Sequence, residues 1–367
     1  MRHEKFLDEA VELLSELIAT PSISREEQAA ADLLQARMEQ WELCPRREGN
    51  NVWAVAPSYE PARETILLNA HIDTVKPVAS WTRDPFSPTV EGDRLYGLGA
   101  NDCGGGLVSL LAAFRILREA EALEPSENSE PSENSKKNPE GKNLIFLASC
   151  EEEVSGANGI TRVLPLLPRV DVAIVGEPTG MQPAVAEKGL MVIELTAHGR
   201  SGHAARREGV NALYQMLDDL SFIRDYHFQR VSPLLGETLM QATVISAGTQ
   251  HNVVPDRCEA IVDVRTNELY TNEEVLSFLQ SRLSSDVKAR STRLGSSSIP
   301  TSHPLVEQLV AMGKQPFGSP TLSDQALMSF PSLKLGPGDS ARSHSADEYI
   351  CLTEIADAIK TYVRLLS

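Results

Sequence analysis

Apolar residues follow two periodicities through the first half of the chain, and the order of these patterns predicts alternating strands and helices. Phe6, Ala10 and Leu13 recur at three- and four-residue intervals, which predicts an amphipathic helix. A second helix is expected to start near Ser24, because Ser24 and Glu27 have the spacing of a capping box. The same reading predicts strands at 51–56, 65–69, 143–149 and 171–175, and helices at 107–117 and 157–167. This alternation favours a largely parallel sheet.

The pattern changes between residues 181 and 186, where a second kind of unit begins. Strands are predicted at 188–197, 241–247, 258–265 and 286–293, and helices at 211–223 and 273–283. This β-α-β-β-α-β order matches a ferredoxin-like unit. Helices predicted at 305–312 and 352–366 indicate a return to the first domain. We therefore predict an α/β protein in which a mostly parallel-sheet domain, residues 1–180 and 295–367, carries an inserted α+β domain at 181–294.

One segment of the first domain has a low-complexity sequence. Residues 121–142 contain a tandem EPSENS repeat at 124–135, followed by a polar tail. Such a sequence buries too little apolar area to offset the entropy lost on ordering it. We expect a mobile surface loop.

Charge and cysteine content limit the function classes. The formal net charge is −17, from 34 Lys and Arg against 51 Asp and Glu, which argues against nucleic acid and anionic membranes as partners. The sequence has no run of about 18 apolar residues of the kind that predicts a membrane span, and the N-terminus lacks the apolar core of a signal peptide. The five cysteines form no CxxC pair, which is typical of reduced thiols in a cytoplasmic protein.

Acidic residues and a histidine stand where predicted strands end. His71 follows one apolar run, residues 151–153 (three glutamates) follow another, Glu177 follows a third, and Asp102 lies in a glycine-rich turn. Ligands of open α/β sheets bind at the carboxyl ends of the strands. Carboxylates that converge there repel one another, and a divalent cation removes that repulsion. The pattern therefore predicts a metal site and favours a hydrolase.

Seven motifs, in order along nearly the whole chain, resemble one enzyme family. They are AHIDTV, GLGANDCGGG, SCEEEVSGANG, VGEPT, GRSGHAA, HNVVPD and GPGDSARSH. Together they resemble the two-zinc amidohydrolases that include acetylornithine deacetylase, succinyl-diaminopimelate desuccinylase and the aminoacylases. The resemblance implies a zinc-hydrolase catalytic domain with an inserted lid and dimerisation domain.

The resemblance also implies the ligands of two divalent metal ions. His71, Asp102 and Glu177 would hold one ion, and Asp102, Glu153 and His344 the other, with the Asp102 carboxylate bridging both. Nitrogen and oxygen ligands favour zinc, with cobalt or manganese as alternatives. Asp73 would accept the second ring N–H of His71 and fix its tautomer.

Further residues receive roles from the same resemblance. Glu152 would be the general base and Glu153 the ligand, although a register with Glu151 as base and Glu152 as ligand stays open. His203 would stabilise the oxyanion in the site of a partner subunit, which implies a homodimer formed through the lid. Asn252 and Arg265 would contact the substrate, Arg265 as a partner for a carboxylate. Turn capping and a surface salt bridge are the alternative explanations for Asn252 and Arg265.

The implied reaction is hydrolysis of the amide bond of a small N-acyl amino acid. Leu98 and Gly104 stand where many family members have Arg and Lys, which resembles a subgroup acting on acetylated or succinylated ornithine or citrulline in arginine biosynthesis. A dipeptidase or carboxypeptidase with the same site is the alternative within the enzyme class. A non-catalytic binding protein on this scaffold is the alternative outside it.

Overall fold

The computed structural model describes residues 2–123, 141–206 and 208–367, so the EPSENS repeat and most of the predicted loop lie outside the described residues. The chain divides into two compact units. The first comprises Met1–Val185, Ile299–Phe317 and Ser323–Ser367, and the second comprises Ala186–Ser298 and Gly318–Leu322. The return segment therefore belongs almost entirely to the first unit, and only Gly318–Leu322 belongs to the second.

Helices and strands are numbered in chain order. The helices are α1 (Arg2–Ile18), α2 (Gln28–Gln40), α3 (Gly105–Leu123), α4 (Ile160–Val163), α5 (Ala212–Asp225), α6 (Asn272–Arg282), α7 (Pro304–Ala311) and α8 (Leu352–Leu366). The strands are β1 (Arg46–Glu48), β2 (Asn51–Val55), β3 (Thr65–His71), β4 (Thr89–Glu91), β5 (Arg94–Tyr96), β6 (Asn143–Ser149), β7 (Val172–Val175), β8 (Ala184–Glu187), β9 (Met191–His198), β10 (Leu239–Ala247), β11 (Arg257–Arg265), β12 (Asp286–Ala289), β13 (Ser297–Ser298), β14 (Phe317–Ser319), β15 (Ser332–Lys334) and β16 (Tyr349–Cys351).

The main sheet of the first unit has parallel strands at its centre and antiparallel strands beside them. Its order is β1-β2-β6-β3-β7-β15-β8, in which β6, β3, β7 and β15 are parallel. Every residue of β3, β6 and β7 is buried, which explains why these strands are nearly continuous apolar runs in the sequence. In the register, His71 pairs with Ser149, and Asn69 pairs with Val175. The carboxyl ends of the three central strands therefore meet at one edge.

The second unit is an antiparallel sheet covered by two helices. Its strand order is β10-β11-β9-β12, and α5 and α6 contribute to its core. Burial alternates along β9, with Met191, Ile193 and Leu195 inside. The predicted ferredoxin-like order and the α/β fold class are confirmed. No helix among the described residues combines the length and the apolar character that a membrane crossing requires.

Two local predictions are wrong. The helix α2 begins at Gln28, and its N-cap Glu27 makes no side-chain capping bond. Ser24 donates its hydroxyl hydrogen to Asp73 Oδ2 at 2.7 Å instead, so a tertiary contact replaces the expected capping box. The helix expected at 157–167 is only the short α4, followed by a 3₁₀ turn that contains Pro165. Proline lacks the amide hydrogen that would continue an α-helix.

Candidate metal centre

The predicted ligands come from loops at the carboxyl edge of the main sheet. His71 is the last residue of β3, and Glu177 follows β7 by two residues. Glu153 lies in a 3₁₀ turn after β6, and Asp102 lies in the glycine-rich turn that precedes α3. His344 follows a 3₁₀ turn before β16. Five segments far apart in sequence therefore contribute one candidate ligand each.

Glycine allows two of these segments to approach closely. A Cβ atom at position 106 would overlap the carbonyl oxygen of Gly176. Only a glycine at the start of α3 therefore lets this helix contact the segment after β7. This close approach brings the turn of Asp102 to the segment of Glu177.

Asp102 stands between two histidines. Its Oδ1 lies 3.2 Å from His71 Nε2, and its Oδ2 lies 3.7 Å from His344 Nε2. Beside the first histidine, Glu177 Oε1 lies 3.6 Å from His71 Nε2. Beside the second, Glu153 Oε2 lies 2.9 Å from His344 Nε2. Each oxygen of Asp102 thus faces one histidine that has a second carboxylate beside it. The pairs are His71 with Glu177 and His344 with Glu153.

The cluster brings several carboxylates together in a buried place, which makes it costly for all of them to be charged at once. Burial raises the pKa of Glu152 well above its usual range, and burial followed by the charge of Asp102 raises the pKa of Glu177 to about 8. Burial opposes the charged form of His71, but the hydrogen bond to Asp102 and the charges of Glu152 and Asp73 together outweigh it and raise the His71 pKa well above its usual value. A hydrogen bond with Glu153 raises the pKa of His344 to about 9. Protons must therefore compensate these carboxylates when no cation does.

The residues fit a divalent cation. Glu177 Oε1 is buried and has no hydrogen-bond partner among the described residues. Buried polar atoms are almost always paired, so this oxygen is suited to a ligand that the protein itself does not supply. The donor atoms of His71, Asp102 and Glu153 all lie within 4.8 Å of one another. Imidazole nitrogen and carboxylate oxygen form a ligand set that zinc accepts.

The role expected for the Asp73 carboxylate requires a correction. His71 Nδ1 lies 2.9 Å from the backbone carbonyl oxygen of Asp73 and 3.6 Å from its carboxylate Oδ1. The carbonyl, rather than the carboxylate, is therefore the hydrogen-bond acceptor for the ring. The carboxylate accepts the backbone N–H groups of Glu152 and Glu153 at 3.0 and 3.2 Å. Asp73 thus orients two parts of the cluster with different groups.

The three consecutive glutamates differ in direction. The Glu151 carboxylate accepts the backbone N–H of Asn158 at 3.2 Å and its side-chain amide at 2.8 Å. Glu152 Oε2 lies 3.9 Å from His71 Nε2, and Glu153 contacts His344. Glu152 and Glu153 therefore face the two histidines and Glu151 faces Asn158, while the roles of base and ligand stay predictions.

Cys103 lies in the cluster but was not predicted there. Its Sγ lies within 4.8 Å of the donor atoms of His71 and Glu177. The thiol donates to the carbonyl oxygen of Gly176 at 3.1 Å, and burial raises its pKa well above the usual range. A thiol that stays protonated is a poor metal ligand. Its position directly after Asp102 in the motif is the signal that could have identified it.

Other supporting residues come from remote parts of the chain. Asp324 Oδ2 accepts the side-chain amide of Asn69 at 3.0 Å and the hydroxyl of Ser149 at 2.6 Å. Lys334 is fully buried on β15. Its positive charge opposes the rise in the Glu177 pKa that burial and Asp102 cause, but does not cancel it. No local pattern in the sequence identifies either residue.

The predicted lid residues all belong to the second unit. His203 is exposed, and its Nδ1 accepts the backbone N–H of Ala205 at 3.2 Å. Asn252 is exposed and accepts a backbone hydrogen bond at its carbonyl oxygen. Arg265 pairs with Asp263, with 2.7 Å between its Nε and the Asp263 Oδ1. Their proposed contacts with substrate stay predictions.

Comparison with known proteins identifies the family. The model of peptidase family M20/M25/M40 matches residues 67–367, which is most of the chain. The chain belongs to this family. The resemblance found in the motifs is therefore confirmed, and the protein is a metal-dependent hydrolase that acts on amide bonds.

Individual relatives differ in their named activities. The chain is 29% identical to the acetylornithine deacetylase of Proteus mirabilis (strain HI4320), over 93% of this chain and 91% of that protein. The aminopeptidase PepT of Bacillus cereus ATCC 10987 has a TM-score of 0.74 at 16% identity, with 98% of each chain covered. The Bacillus subtilis YXEP protein, a dinuclear metal-binding peptidase of the M20 family, has a TM-score of 0.72 at 17% identity, over 99% of this chain and 98% of that chain. At these identities, the solved structures establish the fold alone.

Proposed function

We propose that this enzyme hydrolyses the amide bond of a small N-acyl amino acid, with acetylornithine as the first candidate and succinylornithine and acetylcitrulline as close alternatives. The observation that carries the proposal is the paired arrangement around Asp102, with Glu152 beside it. The similarity to an acetylornithine deacetylase over 93% of the chain supports the acyl amino acid class. This assignment would place the enzyme in arginine biosynthesis. The five free cysteines support a cytoplasmic location.

The proposed metal ligands follow from the geometry. His71, Asp102 and Glu177 would hold one divalent cation, and Asp102, Glu153 and His344 the other. When bound, the cations, which we propose to be zinc, would supply Lewis acidity that activates water and polarises the amide carbonyl.

Glu152 is the proposed general base. Its carboxylate lies at the cluster, 3.9 Å from His71 Nε2, with only 11% of its side chain exposed. The backbone N–H of Glu152 donates to Asp73, which holds the residue at this position. Glu152 would accept the proton of the attacking water and deliver it to the departing amine. The products are a carboxylate and a free amino acid.

The second unit supports the proposal of a homodimer. The strand β10 is an edge of its sheet and is largely exposed, with Val244 and Ile245 about half exposed. Tyr214 and Leu217 on α5 are also exposed. An apolar edge strand can pair with the same strand of a second copy around a two-fold axis. We propose that this pairing would bring His203 of one copy to the metal centre of the other copy.

A substrate panel tests the proposed function. We expect zinc- or cobalt-loaded enzyme to hydrolyse N-acetylornithine, N-succinylornithine or N-acetylcitrulline faster than any dipeptide. A peptidase is the competing assignment, because the chain belongs to peptidase family M20/M25/M40, and preferred turnover of dipeptides would establish it. Activity that survives chelation of the metal would contradict both assignments. The Glu152→Gln variant is the matched control for contaminating hydrolases.

The dimer has its own test. The Val244→Lys variant places a charge in the proposed interface, whereas Val90→Lys places one at an exposed position of β4 in the first unit. Analytical ultracentrifugation should show a dimer for the wild type and for Val90→Lys, and a monomer for Val244→Lys. A monomeric wild type would contradict the proposed pairing.

A further inference from the structure

Glu348 is a buried carboxylate that binds the backbone of the segment containing Asp102. Its Oε1 accepts the N–H groups of Asn101 at 2.8 Å and Asp102 at 3.0 Å, and its Oε2 accepts the N–H of Gly99 at 3.2 Å. Its own carbonyl oxygen accepts the N–H of Gly97 at 3.0 Å. Only 2% of the residue is exposed. A single acidic residue thus binds most of the amides of one short turn.

Asn101 makes the reciprocal connection. Its side-chain amide donates to the Asp339 carbonyl oxygen at 3.0 Å and to the Ser343 hydroxyl at 3.2 Å, while its Oδ1 accepts the Asp339 N–H at 3.0 Å. Asn101 is fully buried. The segments 97–102 and 339–348 are therefore cross-linked in both directions by buried hydrogen bonds.

These two segments contribute Asp102 and His344, whose atoms Oδ2 and Nε2 lie 3.7 Å apart. The turn of Asp102 is rich in glycine, and both Gly97 and Gly99 have positive φ values. Such a backbone has many accessible conformations unless other groups restrain it. Because the carboxylate of Glu348 is ionisable, its bonds to the N–H groups are of the stronger, charge-assisted kind when it is charged.

We propose that Glu348 is a positioning residue that holds the backbone of Asp102 against the segment of His344 and thereby sets the affinity for metal. The proposal rests on the proposed function, in which Asp102 and His344 are ligands. Removal of hydrogen-bond partners behind metal ligands weakens metal affinity about 10–100-fold in other metalloenzymes. We expect an effect of this size for Glu348.

The Glu348→Gln variant tests the proposal. Gln has the size of Glu but offers one acceptor oxygen, so its amide group would face a backbone N–H. The neighbouring Asp347→Asn variant is the matched control, because Asp347 accepts hydrogen bonds from Thr82 and Arg83 rather than from the turn of Asp102. Zinc affinity is measured by competition with a chromophoric chelator. Glu348→Gln should bind zinc about 10–100-fold more weakly, and Asp347→Asn should stay within about threefold of wild type.

Hydrogen exchange of the metal-free proteins provides a second measurement. Peptides that contain the Asn101 and Asp102 amides should exchange faster in Glu348→Gln than in wild type. Unchanged exchange, or faster exchange with unchanged zinc affinity, overturns the proposal. Should Glu348→Gln fail to fold, Asn101→Ala carries the same test with the same expected direction. A wild type that binds no zinc overturns the proposed function and this proposal with it, whereas a wild type that binds zinc no better than Glu348→Gln overturns this proposal alone.

Discussion

Loading the metal-free protein with zinc at neutral pH should displace at least two protons, one each from Glu177 and His344, and the raised pKa of His71 adds to that number. Burial raises the pKa of Glu177 to about 8, and the hydrogen bond with Glu153 raises the pKa of His344 to about 9. At about pH 7, both groups hold a proton nearly all the time. A metal ion binds only deprotonated ligands, so the two protons must leave when it binds.

The direction of the pH dependence follows from these two raised values. Protons compete with zinc for Glu177 and His344 as long as the pH lies below their pKa values of about 8 and about 9. The apparent zinc affinity should therefore rise with pH through the neutral range and level off only about one pH unit above the higher value, at about pH 10. Over the same range, the number of protons released from these groups should fall, reaching about one near pH 8.5.

Isothermal titration calorimetry can count the protons. Zinc is titrated at about pH 7 in buffers that differ in ionisation enthalpy, and the slope of the binding enthalpy against that enthalpy is the number of protons released. The His344→Gln variant should release about one proton fewer than wild type. A binding enthalpy that is the same in all buffers would refute the reasoning, because it would mean that neither group gives up a proton on binding.

Three further outcomes are expected. Glu152→Gln should keep its zinc, as measured by elemental analysis. Its kcat should fall about 10²–10⁴-fold, because a general base contributes that much to the rate. Loss of zinc in this variant would show that Glu152 is a ligand. Removal of metal with EDTA should lower the Tm, and added zinc should restore the Tm, because a ligand that binds only the native state stabilises that state. An identical Tm with and without metal would contradict a contribution of the metals to stability. Asp324→Ala should lower the free energy of unfolding by about 2–3 kcal/mol in urea titrations, because the buried donors of Asn69 and Ser149 lose their acceptor. The exposed Asp225→Ala is the control for that change, and equal stability of the two variants would disprove the role of the Asp324 contacts.

The elements predicted from periodicity were accurate where burial is strongly patterned. The strand expected at 143–149 matches β6, and the helix expected at 352–366 matches α8. Both segments bury a continuous or periodic apolar face, and this local pattern is sufficient to predict them. The helix at 157–167 failed because Pro165 interrupts a segment whose periodicity alone favours a helix.

Predictions that depended on the direction of one side chain were less reliable. The pairing of Ser24 with Glu27 looked like a capping box, but the hydroxyl of Ser24 contacts Asp73, 49 residues away. The Asp73 carboxylate was expected to contact the ring of His71, but it binds two backbone amides of the segment after β6. Local spacing does not encode these contacts, because their partners come from other strands.

The sequence by itself determined which chemical groups stand at the ends of the central strands, because apolar runs define those strands and the motifs follow them directly. Only the tertiary structure decided which of the neighbouring glutamates faces His71, that Cys103 enters the cluster as a neutral thiol, and that Glu348 binds the turn of Asp102. The physical reason is the range of the interactions. Periodic burial acts within one segment, whereas the hydrogen bonds and charges of the metal centre join segments that meet only after the chain has folded.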